Sequence, residues 1–139
     1  MLAVKIVHFL ALAIGIGGSA ANLLLAVRAA TIPAEARPGL GAIQRLIGRV
    51  AFGCVLLLWA SGLAMLYARY GGWAGQGVLF WLKIAAVAVL TVAATGLQVL
   101  TVRAQIAKAP PPRTAMLRLA VAANASAMLA VLFAVLAFG

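Results

Sequence analysis

The stretch AVKIVHFLALAIGIGGSAANLLLAV, Ala3 to Val27, decides the fold. Crossing a hydrocarbon layer of ~30 Å takes ~20 mainly apolar residues in a helix. This run is long enough, and its ionisable groups, Lys5 and His8, both stand near its start. Three further runs have the same character: Ile47 to Tyr67, Val78 to Val102 and Ala115 to Phe138. Each is apolar all round and rich in Ala and Leu. The strands of a lipid-embedded barrel would instead alternate apolar and polar residues. The expectation is one all-α domain over residues 1–139, a four-helix membrane bundle spanning about 3–27, 47–67, 78–102 and 115–138. Composition agrees, with 67% hydrophobic and 9% charged residues in 139 and a mean hydropathy of +1.19. Soluble domains carry about half and a quarter of these classes.

The charge is one-sided, with 11 Lys plus Arg against one acid, Glu35, and a net charge of +10. A nucleic-acid partner is nonetheless excluded, because the cations stand singly between apolar runs and form no basic face with interleaved aromatics. Their distribution orients the chain instead. Arg28, Arg37, Arg45 and Arg49 surround the first connection, and Arg103, Lys108, Arg113 and Arg118 the third. Only Lys5, Arg69 and Lys83 fall on the other side. Cations concentrate on cytoplasmic loops, so connections 28–46 and 103–114 belong in the cytoplasm and both termini in the periplasm. The connections are short, with Pro33, Pro38, Gly39 and Gly41 in the first, four glycines in the second and Pro110 to Pro112 in the third. Short links make consecutive helices antiparallel, giving an up-down bundle. Lys5, the apolar run and the small residues Gly18 to Ala21 also have the form of a secretory signal. Because the run continues through Leu23 to Leu25, retention as the first helix is the expectation.

Within the first helix, Lys5, His8, Ala11, Gly15, Ser19 and Asn22 recur at steps of three or four and share one face. Ala88, Thr91, Thr95 and Gln98 make a counterpart on the third helix, and Ala120, Asn124 and Ala127, with Ser126 nearby, on the fourth. Small residues let helices approach closely in lipid, and Ser, Thr, Asn and Gln hydrogen-bond across the contact. Ser19, Asn22, Thr91, Thr95, Gln98 and Asn124 are therefore expected to pack helices together. Asn22 and Gln98, at similar depth from the cytoplasmic boundary, are expected to pair. Lys5, Arg69 and Trp73 belong at the outer interface, where a basic rim holds lipid headgroups and aromatic rings anchor. Trp59 lies in mid-helix and needs an indole partner if it faces the bundle.

His8 is the one histidine. It sits some five residues into its helix, about 7.5 Å deep, and three readings stand side by side: interfacial structure, a haem or metal ligand, or proton handling. Within one chain, a haem would take Met65 as a second ligand, keep an open position, or borrow a histidine from another subunit. Lys83 reads either as a snorkelling cation or as a partner for a cofactor carboxylate. Cys54 is alone, which excludes a disulfide framework. No Asp or Glu stands in any of the four runs, and no hydrolase triad or phosphate-cradling loop is present. An independent enzyme is not expected.

Several short strings carry a resemblance. Val4-Lys5-Ile6-Val7-His8 opens the chain; Arg45-Leu46-Ile47-Gly48 runs on to Leu58-Trp59-Ala60-Ser61-Gly62-Leu63; Trp81-Leu82-Lys83-Ile84 opens the third helix. Together they resemble the bacterial copper resistance protein D-like membrane proteins and their relative, the J-type membrane protoporphyrinogen oxidase. The resemblance runs through the first three helices. It implies a bacterial inner-membrane protein in which His8, Trp81 and Lys83 handle haem or a metal. The later histidine of that pattern has no counterpart, since Ala93, Ala94 and Thr95 stand at its place.

The expected function is accordingly that of a small inner-membrane protein, non-catalytic by itself, holding haem or a metal through His8. Its expected partners are membrane lipids and other membrane subunits or itself. An accessory subunit of a respiratory or photosynthetic complex, and a small-solute carrier or channel, are the alternatives. Orientation is directly testable: a reporter fused after Gly139 is expected to be active only in the periplasm, and signal from the cytosol would reverse the topology.

Overall fold

The computed structural model describes residues 2–138. Met1 and Gly139, the chain ends expected on the periplasmic side, lie outside them. Four helices account for most of the described chain: α1 Leu2–Arg28, α2 Arg37–Tyr70, α3 Val78–Ile106 and α4 Arg113–Phe138. No strand occurs among the described residues, and all four helices are long and apolar enough to cross a membrane. α1 packs closely on α2 and α3 on α4, while the α1–α4 and α2–α3 interfaces close the ring more loosely. The bundle is thus two helical hairpins set side by side.

Two boundaries differ from the sequence expectation. α2 begins at Arg37, not near Ile47, so it takes in Pro38, Gly39 and Gly41. Proline costs nothing in a helix's first turn, where its missing N–H would have no intrahelical acceptor. Two short 3-10 turns, Ala29–Thr31 and Ala34–Ala36, make most of what remains of the first connection. The 34 residues of α2 measure about 51 Å at 1.5 Å each, well beyond the ~30 Å of hydrocarbon. Its first turns, with Arg37, Arg45 and Arg49 exposed, are the surplus. α3 likewise runs on to Ile106, which shortens the third connection. At the other end of α2, Gly71 takes the left-handed conformation (φ 68°) and returns its N–H to the Leu66 carbonyl, the usual glycine stop.

The interior is built mostly from small side chains. Ala11, Cys54, Ala86, Ala93, Ala123, Ser126, Ala127 and Ala130 are buried, with Val55, Leu66 and Phe80 the larger ones among them, whereas Phe9, Leu24 and Val92 are 65%, 68% and 72% exposed. Most large apolar side chains outward and mostly small ones inward is the order that suits a lipid solvent. Lipid tails compete with any apolar contact, so helices gain by close approach and van der Waals packing. Gly15 marks the closest approach: a Cβ there would stand 3.1 Å from Cys54 Cβ. At Gly96 the same addition would meet the end of the Leu119 side chain, also at 3.1 Å, and at Gly17 it would meet nothing within 4 Å.

These differences order three substitutions. Gly15→Ala must move the α1 and α2 backbones apart and is expected to cost about 1–3 kcal/mol. Gly96→Ala is expected to cost less, because the Leu119 end can rotate away, and Gly17→Ala to be neutral. Reversible unfolding in mixed micelles measures the order; equal values for Gly15→Ala and Gly17→Ala would contradict the packing described here.

Candidate functional site

Near the end of the bundle where α2 turns into α3, His8 of α1 faces α2. Its Nδ1 lies 2.7 Å from Ser61 Oγ, and Ser61 is buried. The Ser61 hydroxyl donates its one proton to the Leu57 carbonyl, one turn earlier in the same helix. With that proton on the Leu57 carbonyl, the oxygen accepts from Nδ1–H of the neutral imidazole, the tautomer that leaves the lone pair on Nε2. Gly62 lies beside the ring: a Cβ there would be 3.7 Å from His8 Cε1, in ordinary contact with the ring edge. Phe9 adds an edge contact at 6.4 Å between ring centres.

Lys83 of α3 is half-buried, and its ammonium is near enough to act electrostatically on the His8 ring. Met65 stands one turn beyond Ser61, on the same side of α2 by helical period. Trp81 belongs to a different grouping. It stacks on Trp73 at 5.8 Å and 24°, and Phe80 packs edge-on against both rings. The Trp73 indole donates to Tyr67 Oη at 2.9 Å. These rings close the second connection, as an interfacial aromatic belt does. Arg69 is exposed and Lys5 half-buried at the same end.

The other singled-out polar residues hold helices together. Asn124 of α4 donates to Ser19 of α1 at 3.1 Å and to its own Ala120 carbonyl at 2.8 Å. The Trp59 indole of α2 donates to Thr91 of α3 at 2.9 Å, and Thr91 passes its proton to the Val87 carbonyl. Gln98 of α3 donates to the Gly48 carbonyl at 2.8 Å. The expected pairing of Asn22 with Gln98 is corrected: Asn22 donates to the Gln44 carbonyl at 3.2 Å. Both amides thus reach successive carbonyls on one edge of α2. Thr95 and Ala88, expected on the packing face of α3, are exposed. The line α3 buries is Phe80, Ala86 and Ala93, turned from the expected stripe because α4 sits against it.

The sequence reading left Ser61, Gln44 and Gly48 without a role. Ser61 and Gly48 do stand inside the strings that carry the resemblance, and helical period alone gives no hint of what a second helix brings opposite them. Among the described residues no group of three His, Cys, Asp or Glu could enclose a metal ion. Comparisons with protein-family models, with curated proteins and with solved structures found no match.

The inter-hairpin bonds predict a contrast. Asn124→Ala removes the α1–α4 bond and is expected to destabilise by roughly 0.6–1.7 kcal/mol, whereas Thr95→Ala, on the outer face, changes little. Unfolding in micelles compares the two; equal losses would mean that Asn124 does not join the hairpins.

Proposed function

We propose that this chain is a small multi-pass protein of a bacterial inner membrane that binds haem through Nε2 of His8 and is non-catalytic by itself. The observation that carries this reading is the chain His8 Nδ1–H, Ser61 Oγ–H, Leu57 carbonyl. Ligating histidines characteristically donate their second N–H to a fixed acceptor, which sets the ring orientation and makes the ligating nitrogen more basic. The donor set favours haem over a bare ion. A copper or zinc ion asks for three or four protein ligands, more His, Cys, Asp and Glu than any described cluster supplies. A porphyrin brings four nitrogens of its own and asks for an axial imidazole. Met65 is the second soft donor on α2 near Ser61, and Lys83 is the cation suited to a propionate.

The chain's own residues do two things in this reading. Ser61 holds the imidazole in one tautomer, and Lys83 supplies positive charge at the same end. Bound haem would supply reversible electron storage, and the chain would deliver or hold it beside membrane subunits or a further copy of itself. In this reading the second connection faces the periplasm, with connections 28–46 and 103–114 in the cytoplasm, on the cation asymmetry.

Titration of the detergent-purified protein with haemin, followed by absorption, is the test. A saturable Soret shift is expected, abolished by His8→Ala and retained by Thr95→Ala. Ser61→Ala is expected to weaken binding 10–100-fold, the usual effect of losing the group that orients a ligating histidine. A protein that stays colourless, or a Soret band indifferent to His8→Ala, would reject the proposal.

A further inference from the structure

Cations divide α2 and α3 at matching intervals. Arg49 and Arg69 on α2 are twenty residues apart, and so are Lys83 and Arg103 on α3. At 1.5 Å per residue each interval is about 30 Å, the thickness of the hydrocarbon layer. Arg49 therefore stands where hydrocarbon ends, and Arg45, one turn nearer the start of α2, stands in the headgroup layer. Both are exposed, and residues four apart in a helix share a face, with Cβ atoms about 6 Å apart. Helical side chains lean toward the N-terminus, which on α2 is the way out of the hydrocarbon. Arg45 shows this lean: its Nη1 would lie 3.4 Å from a Cβ built at Gly41, one turn nearer the helix start. Among the described residues no carboxylate pairs with either guanidinium, and the one acid of the chain, Glu35, precedes α2. On the hydrocarbon side of the pair the surface is apolar. Leu46, Val50, Leu56 and Leu57 are exposed. Gly53, one turn deeper than Arg49, would have nothing within 4 Å of a Cβ built on it, which leaves a notch among them.

We propose that Arg45, Arg49 and Gly53 bind one anionic phospholipid, its phosphate held by the two guanidiniums and an acyl chain lying over Gly53. The chemistry selects this occupant. Guanidinium forks match phosphate oxygens and bond them in pairs, and at the edge of the hydrocarbon a lipid phosphodiester is the acceptor that the surroundings supply. Two fixed cations against one phosphate leave positive charge over, so a headgroup without an amine of its own suits the site better than a zwitterionic one. Free phosphate has no use for the apolar surface below the pair, whereas an acyl chain must run down it. A second copy of this chain, docked on the same face, would bring the same unpaired cations to the same depth and be repelled. An acidic protein approaching through water would not reach Gly53.

Native mass spectrometry of the full chain in an uncharged detergent, titrated with phosphatidylglycerol or phosphatidylcholine, tests the site. One phosphatidylglycerol is expected to be retained in preference to phosphatidylcholine. Arg45→Gln combined with Arg49→Gln is expected to weaken its binding roughly 25-fold, about fivefold for each cation lost. Arg37→Gln combined with Lys108→Gln removes as much charge from the same end but farther from the hydrocarbon, and is expected to weaken it about twofold or less, because the attraction fades with distance. Gly53→Phe fills the notch and leaves every charge in place; it is expected to weaken lipid binding, and inorganic phosphate is expected not to displace the lipid from the native chain. All four cations replaced are exposed, so the helical content seen by circular dichroism stays unchanged in both double variants. Equal retention of the two lipids, equal losses in the two double variants, full retention in Gly53→Phe, displacement by inorganic phosphate, or a lipid-free dimer would each overturn the proposal.

Discussion

In hydrocarbon a polar group without a partner keeps the full cost of leaving water, because no solvent molecule replaces the lost bond. That constraint shapes this chain at every scale. Backbone N–H and C=O groups satisfy one another within four helices. Most polar side chains within those helices spend their donors on neighbours. Thr91 and Thr101 donate back to their own helix, and Asn124 and Trp59 reach across to another. Charge is pushed to the rims, so the cations gather at the connections and helix ends and no acid stands in any span.

The same constraint divides the labour of packing. Inside each hairpin the helices are joined by closeness, with Gly15 beneath Cys54, Gly18 beneath Ile47 and Gly96 beneath Leu119, and α1 and α2 add the His8–Ser61 and Asn22–Gln44 bonds. Between hairpins the approach is looser, and side-chain hydrogen bonds take over: Ser19 with Asn124, Trp59 with Thr91, Gln98 with Gly48. Close packing gives many weak contacts and tolerates sliding. Directional bonds set register. A bundle of two tight pairs pinned by three bonds combines both.

His8 is the place where a bond across helices does more than pin. Ser61 is within reach of its own helix's Leu57 carbonyl, and that bond turns the hydroxyl oxygen toward the imidazole as an acceptor. One side chain thereby decides which ring nitrogen holds a lone pair. Gly62 stands beside the ring, and Lys83 brings the neighbouring positive charge from α3. The aromatic cluster of Tyr67, Trp73, Phe80 and Trp81 closes the same end of the bundle.

The architecture was legible in the residues themselves, because hydrocarbon thickness and backbone satisfaction are demands that every residue of a span answers locally. Length and apolar content of the four runs suffice for a four-helix bundle, and the α1 stripe through His8, Ala11, Gly15, Ser19 and Asn22 follows from helical period. What meets that stripe was not legible. Period assigns a residue to a face of its own helix, but the rotation of one helix against another depends on all contacts at once, which is why α3 buries Ala86 and Ala93 and turns Thr95 outward. Proline and glycine misled at the start of α2 for a related reason: their cost depends on position in the helix, and Pro38 fell in the first turn, where it has none. Ser61 against His8, and Gly48 between two amides, belong to the tertiary structure alone, since each joins residues more than 20 positions apart through a contact that neither segment encodes by itself.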